Sequence, residues 1–246
     1  MKPALFRKFI RLLILESAAT KKFKMIFLAG LPGSGKSTLL QQLGIEDQFT
    51  NCNIDNFYEP YLKNELGTSD LHTPTERYVN LKRKVAKEEY QMTPAEQTQY
   101  DADKALVSRG ASLFGTAISE FKSQVDEVCS LGANFIIDGT SANYGKTSKD
   151  LQLYLDAGYD CAMIMVDIDV ETSQSRNLER GKKGKRSIWN PIIYRQSKSM
   201  TPNIEKYAQL FGPDRFFLVS NRGTFGEFKE AIEAERPAVQ AFMESK

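Results

Sequence analysis

Short apolar runs punctuate the chain and alternate with longer stretches in which apolar residues recur at helical spacing. Met25–Ala29 predicts a buried strand, and Asn51–Ile54, Asn134–Ile137, Cys161–Val166 and Arg215–Val219 predict four more. Helices are expected between them: Leu39–Leu43, stopping near Gly44; Ser112–Leu131, with Leu113, Ala117, Phe121, Val125 and Val128 on one face and Gly132 as its cap; 147–157, stopping at Gly158; Glu171–Arg180; and 190–211. Phe225–Glu235 is expected to close the chain as a helix that Pro237 interrupts or ends. Strands alternating with helices predict an α/β fold, with a five-stranded parallel sheet covered on both faces and right-handed crossovers. Ligands of such sheets bind beyond the carboxyl ends of the strands, where Asp55, Asp138 and Asp167 fall.

Two segments depart from this alternation. Residues 59–110 are polar and charged, with helices expected from Thr75 and from Pro94, and read as a helical insertion over one side of the site. Residues 3–19 are basic and apolar and predict an amphipathic helix, within an N-terminal segment 1–22 ahead of a domain over 23–246. That helix suits packing on the domain, docking a protein partner or touching a membrane surface. Arg11 interrupts any signal-peptide core, and no apolar run approaches the roughly 18 residues of a transmembrane segment.

Composition narrows the chemistry. The 246 residues carry a formal net charge of only +2, so any basic surface must be local. His72 is the one histidine, which excludes a multi-histidine zinc site; beside Asp70, Thr73 and Pro74 it reads as a surface loop residue, leaving acid–base chemistry to carboxylates. The three cysteines, Cys52, Cys129 and Cys161, form no CxxC pair and read as buried thiols of a reducing, cytoplasmic setting.

The first predicted strand runs into Gly30-Leu31-Pro32-Gly33-Ser34-Gly35-Lys36-Ser37-Thr38. Gly-x4-Gly-Lys-Ser between an apolar strand and a helix is the nucleotide-binding phosphate loop, or Walker A motif. Its glycines let successive backbone N–H groups face one anion, and the following helix adds its N-terminal partial charge. Lys36 is expected on the β- and γ-phosphates of ATP, and the Ser37 hydroxyl on Mg²⁺. With the α/β alternation, the motif implies a three-layer P-loop NTPase fold.

Other features choose among phosphate-loop proteins. No Asn-Lys-x-Asp guanine reader is present, and helicase or motor cores bring more chain. Asp55, after the second strand, is placed to accept a proton from an acceptor hydroxyl or to cap the next helix. Asp138, in Ile136-Ile137-Asp138-Gly139-Thr140, reads as the metal-side acid, an acceptor ligand or a structural turn, with Asp167 the other candidate for the metal side. Residues 176–198 hold Arg176, Arg180, Lys182, Lys183, Lys185, Arg186, Arg195 and Lys198 against one acid, Glu179. Around Gly181 and Gly184 this reads as a mobile cationic lid over the transferring phosphoryl group, a nucleic-acid groove, or a solvated basic face.

Four stretches, Gly30–Thr38, Asn53–Tyr58, Ile137–Thr140 and Arg176–Gly181, resemble the kinase branch of phosphate-loop proteins that includes bacteriophage polynucleotide 5′-kinase and the zeta toxins. Tyr207–Gly212, with Arg176–Gly181, is also similar to phage-encoded proteins grouped with the zeta toxins. The resemblance implies Asp55 as general base, Lys36 and Ser37 on phosphate and metal, and Arg180 as the lid arginine. It also implies a phage origin, with host cytoplasm or virion as the location. One position departs: where polynucleotide kinases carry an arginine that grips the acceptor's 3′-phosphate, this chain has Tyr58.

The function expected is ATP- and Mg²⁺-dependent transfer of the γ-phosphoryl group to a hydroxyl on a nucleic-acid 5′ end, a nucleotide or a nucleotide sugar. Asp55, Lys36 and Arg180 are its catalytic candidates. Gly30, Gly33, Ser34, Gly35, Lys36, Ser37, Thr38, Arg176 and Arg180 hold the nucleotide, and Ser37 and Asp138 the metal. The alternative is a nucleotide-binding structural or regulatory module, such as a phage particle component docked through residues 3–19.

Overall fold

The computed structural model describes residues 22–87 and 90–245. The helix expected over 3–19 lies outside these residues. Five parallel strands form one sheet in the order β2-β3-β1-β4-β5: β1 (Lys24–Gly30), β2 (Thr50–Asn53), β3 (Phe135–Asp138), β4 (Asp160–Asp167) and β5 (Phe216–Ser220). The helices are α1 (Lys36–Leu43), α2 (Asp55–Leu66), α3 (His72–Val85), α4 (Pro94–Leu131), α5 (Tyr144–Asp156), α6 (Val170–Lys182), α7 (Asn190–Phe211) and α8 (Phe225–Glu244).

β1 is buried at every position, as a central parallel strand between two helical layers must be. Its side chains divide by the two-residue period of a strand. Met25, Phe27 and Ala29 enter a core with Val128 of α4, Leu151 of α5 and Tyr207 of α7. Ile26 and Leu28 enter the opposite core with Leu39 and Leu40 of α1 and Phe228 and Ile232 of α8. This is the three-layer α/β arrangement of the P-loop NTPase fold.

Register then sets the site. Asp138 lies opposite Leu28 on one side and Asn53 on the other, so the strand order brings the end of β3 beside the loop that leaves β1. The region 59–110 holds most of α2, all of α3 and the first half of α4. Tyr58 and Leu62 pack on Leu113 and Ala117, and Arg77 grips the fully buried Asp103 through Nε (2.9 Å) and Nη2 (2.7 Å).

Three expectations are corrected. The helices read separately from Pro94 and from Ser112 are one helix of 38 residues, started by a Thr93–Glu96 capping box with Pro94 in its first turn. Pro237 neither ends nor interrupts α8, because Ile232, Val239 and Phe242 on both sides of it share one core. His72 is not a surface loop residue: it opens α3 and is 7% exposed. No helix among the described residues is long and apolar enough to cross a membrane.

Candidate functional site

The phosphate loop joins β1 to α1. Gly33 and Gly35 have φ of 74° and 97°, which L side chains rarely adopt. A Cβ at Gly35 would also sit 2.8 Å from Asn221 Nδ2 and 3.0 Å from the Phe228 ring. The loop is held from two sides: Ser173 Oγ donates to the Pro32 carbonyl at 2.7 Å, and Asn221 Nδ2 to the Ser34 carbonyl at 2.6 Å. No side chain caps α1 and no acid occupies its first turn, leaving that end to an anion. Lys36 Nζ donates to the Gly30 carbonyl at 2.9 Å and lies 3.7 Å from Asp138 Oδ1.

Gly33, Ser34, Gly35, Lys36, Ser37 and Thr38 line a cavity of about 790 Å³ with Asp55, Asp138, Arg176 and Arg180. Gly30 sits just behind it, as the carbonyl that receives Lys36. Ser34 Oγ, Gln196 Oε1 and Asn221 Oδ1 belong to residues that line the cavity, and all three are buried without a hydrogen-bond partner among the described residues. Orphaned polar atoms around a ring of loop N–H groups are what a polar ligand would satisfy.

The two acids share one organiser. Asn53 Nδ2 donates to Asp138 Oδ2 at 2.8 Å, and Asn53 Oδ1 accepts the Asp55 backbone N–H at 2.8 Å. Asp55 begins α2 but does not cap it; its carboxylate points into the cavity. Burial pushes the Asp138 carboxyl above the ordinary carboxylate range, against the pull of Lys36, and Asp55 adds to the rise. Asp167 stands apart, held by Arg222 through Nε (2.6 Å) and Nη2 (3.0 Å).

Part of the cationic segment converges on the acids. Arg180 Nη2 donates to Glu59 Oε1 at 2.6 Å and reaches Asp55 Oδ2 at 3.4 Å. Arg186 pairs with Asp55 Oδ1, and its guanidinium lies 5.0 Å from the Tyr58 ring and 5.7 Å from the Phe114 ring. Tyr58, which replaces the arginine of the resembled kinases, is therefore a platform for an arginine from another element. Arg176 lines the cavity beside Gly33, whereas Lys182, Lys183 and Lys185 are exposed and are not part of its lining.

Glu59, Asn53 and Phe225 were not singled out as site residues from the sequence, and Arg186 was counted only among the cations of the 176–198 segment. Glu59 had a signal, four residues after Asp55 on a helix and facing a cationic segment. Asn53 had one in its place at the end of a strand. Phe225, 58% exposed at the cavity rim, is an aromatic without an apolar cover. The thiols are chemically quiet: burial pushes Cys52 up to about 11 and Cys161 up to about 12, and raises Cys129 as well. No group of three His, Cys, Asp or Glu side chains that could hold a metal occurs among the described residues.

A search of curated proteins finds no significant match. Among solved structures, the chain is similar to one from the PezAT chromosomal toxin–antitoxin system of Streptococcus pneumoniae, with TM-score 0.52, 18% identity and coverage of 97% of this chain and 96% of that one. It is also similar to a gluconokinase from Sinorhizobium meliloti (TM-score 0.42, 14% identity, 92% of this chain and 100% of that one). A chain of the Pnkp1/Rnl/Hen1 RNA repair complex matches at TM-score 0.44 and 18% identity over 78% of this chain, which spans 48% of that longer protein. At these identities the first likeness shows the fold alone. A family model described as an AAA domain, AAA_33, matches residues 25–191, from the first residues of β1 through the phosphate loop, both acids and the arginine segment. By that match over most of its length, the chain belongs to the AAA_33 family of AAA domains, built on a P-loop NTPase fold.

Proposed function

We propose that the protein is an ATP- and Mg²⁺-dependent phosphotransferase that moves a γ-phosphoryl group to an acceptor hydroxyl. One observation carries this reading: a single cavity joins the phosphate loop, two carboxylates bridged by Asn53, and three arginines from the segment after β4. The orphaned Ser34 Oγ and Asn221 Oδ1, and the glycine cradle at Gly33 and Gly35, fit a bound nucleotide. The Ser37 hydroxyl and Asp138 carboxylate would hold Mg²⁺, whose preference for a few hard oxygens suits so sparse a donor set. When bound, Mg²⁺ neutralises charge on the phosphate oxygens.

The loop N–H groups and the α1 N-terminus bind the phosphates, and Lys36 exchanges its carbonyl partners for phosphate oxygen. Phe225 offers the base a stacking face, and Arg176 lies along the cavity wall from it. Asp55 takes the acceptor's proton as the hydroxyl oxygen attacks the γ-phosphorus; the bond to the β-phosphate oxygen breaks and ADP leaves. Arg180 and Arg186 leave the carboxylates for the transferring group, where their charge counts most in the transition state. The freed Asp55 can then act as a base, and the arginines exclude water. Acceptors fitting this half of the cavity are nucleic-acid 5′ ends, nucleotides and nucleotide sugars. The exposed Lys182, Lys183 and Lys185 add positive charge to the segment that carries Arg180 and Arg186, which supports a polyanionic acceptor.

The test is Asp55→Asn. Transfer should fall by at least 100-fold, while ATP binds as well or more tightly, because two arginines lose a competing carboxylate. Loss of ATP affinity in step with activity would remove Asp55 as the base.

A further inference from the structure

Glu59 lies one helical turn beyond Asp55 and is 14% exposed at its side chain. Its Oε1 receives two donors from one segment, Arg180 Nη2 at 2.6 Å and the backbone N–H of Arg186 at 3.1 Å. The first contact is to a side chain that can turn toward phosphate. The second is to the main chain of the segment itself, and it survives when Arg180 turns away.

The rest of the segment is built around that contact. Asn177 brackets its far side, Nδ2 donating to the Ile188 carbonyl at 2.7 Å and Oδ1 accepting the Ile188 N–H at 2.9 Å. Ser187 hydrogen-bonds Asp70 and forms a bridge with it, which ties the segment to the loop before α3. A Cβ at Gly181 would lie 2.9 Å from the Ser187 side chain, so the turn closes tightly on itself. The segment, for which a mobile cationic lid was one of three readings, is thus tied at its base by α6 and at its tip by the insertion.

We infer that Glu59 is a positioning residue: a clasp between α2 and the backbone of residues 181–187 that keeps Arg180 and Arg186 aimed into the cavity. The physical reason for a carboxylate is its capacity to accept several donors on one oxygen pair. Asp55 competes with phosphate for the arginines; Glu59 holds their chain in place after the exchange. The clasp also links the acceptor side, carried by α2, to the nucleotide side, carried by α6. Its structural part stands apart from the phosphotransfer reading, and only its kinetic consequence rests on that reading.

Trypsin tests the clasp directly, because Lys182, Lys183 and Lys185 are exposed within the held segment. Glu59→Ala should raise the cleavage rate at these three lysines by tenfold or more, with the thermal midpoint of the whole protein little changed. Glu59→Gln keeps an oxygen for the Arg186 N–H and should restore much of the protection. With ATP and Mg²⁺ present, the ranking of the three proteins should persist. Equal cleavage of Glu59→Gln, Glu59→Ala and wild type would overturn the clasp, whether or not any acceptor is phosphorylated. Failure of transfer in the wild type with the cleavage ranking intact would instead count against phosphotransfer alone. If Glu59→Ala does not fold, Glu59→Asp, one methylene too short to reach both donors, takes its place with the same expected rise.

Discussion

Asn53 donates its side-chain amide to Asp138 across 2.8 Å, and through its other side-chain atom it accepts the Asp55 N–H at the same distance. One neutral residue at the end of β2 thereby orients the Asp138 carboxylate and the start of the helix that carries Asp55. Replacing it with alanine strands a buried carboxylate oxygen and frees the first turn of α2. Loss of such an orienting partner costs about 10–100-fold in metal affinity or activity. Asn53→Ala should therefore raise the Mg²⁺ concentration needed for half-maximal transfer by about tenfold, which a Mg²⁺ titration at saturating ATP would read.

Arg186 is a planar cation resting on two aromatic rings, Tyr58 and Phe114, which meet edge-to-face at 5.1 Å between centroids. A lysine keeps the charge but neither the fork nor the flat face. Arg186→Lys should lower kcat by tenfold or more while ATP affinity changes by less than about threefold. Full activity in this variant would show that only charge matters at the position.

Phe225 is a test of where the base lies. Base–aromatic stacking is worth about 1–3 kcal/mol, or roughly 5- to 150-fold in affinity. Phe225→Ala should weaken ATP binding within that range and leave inorganic tripolyphosphate binding unchanged, whereas Lys36→Ala should weaken both. Calorimetry with the two ligands separates the outcomes.

At the opposite end of the sheet, Lys24 is buried against Asp160 Oδ2 at 2.7 Å, and Arg215 Nε reaches Asp160 Oδ1 at 2.9 Å. Burial by itself raises the Asp160 pKa, but hydrogen bonds and charge from Lys24 and Arg215 more than offset it and hold the carboxyl below its ordinary value. A depressed folded-state pKa contributes stability that is fully present above the unfolded value near 4 and is lost as pH falls through the lower folded value. Lys24→Met leaves Asp160 with Arg215 and the Ser245 hydroxyl among the described residues and should cost about 3 kcal/mol at pH 7. The variant should also lose less stability than wild type on acidification through that window. Urea unfolding at pH 7 and below pH 4 checks both statements.

The central strands were legible because a parallel strand between two layers is apolar through its interior, as Met25–Ala29 of β1 and Cys161–Val166 of β4 are. The phosphate loop was legible because its residue types are dictated locally, by backbone angles and phosphate charge. The continuity of α4 was hidden. The helix runs through Gly110, whose missing side chain serves packing: a Cβ there would lie 2.4 Å from Leu71, and its carbonyl accepts the Tyr58 hydroxyl at 3.0 Å. Pro237 misled likewise, since Arg236 fastens α8 to the end of α1 through the Gln42 carbonyl at 2.7 Å and both flanks of the helix are buried. Glu59 and Arg186 meet only because α2 and the segment after α6 pack together across more than a hundred residues of chain. Local periodicity carries no trace of such a pair.

The most direct measurement is transfer of labelled γ-phosphate from ATP with Mg²⁺ to 5′-hydroxyl DNA and RNA, nucleosides, nucleotides and nucleotide sugars, using wild type and Lys36→Ala. Label should reach one acceptor class with the wild type and fall by orders of magnitude with Lys36→Ala. ATP bound by the wild type, with label passing to no hydroxyl acceptor or only to water, would contradict phosphotransfer and favour a nucleotide-binding module.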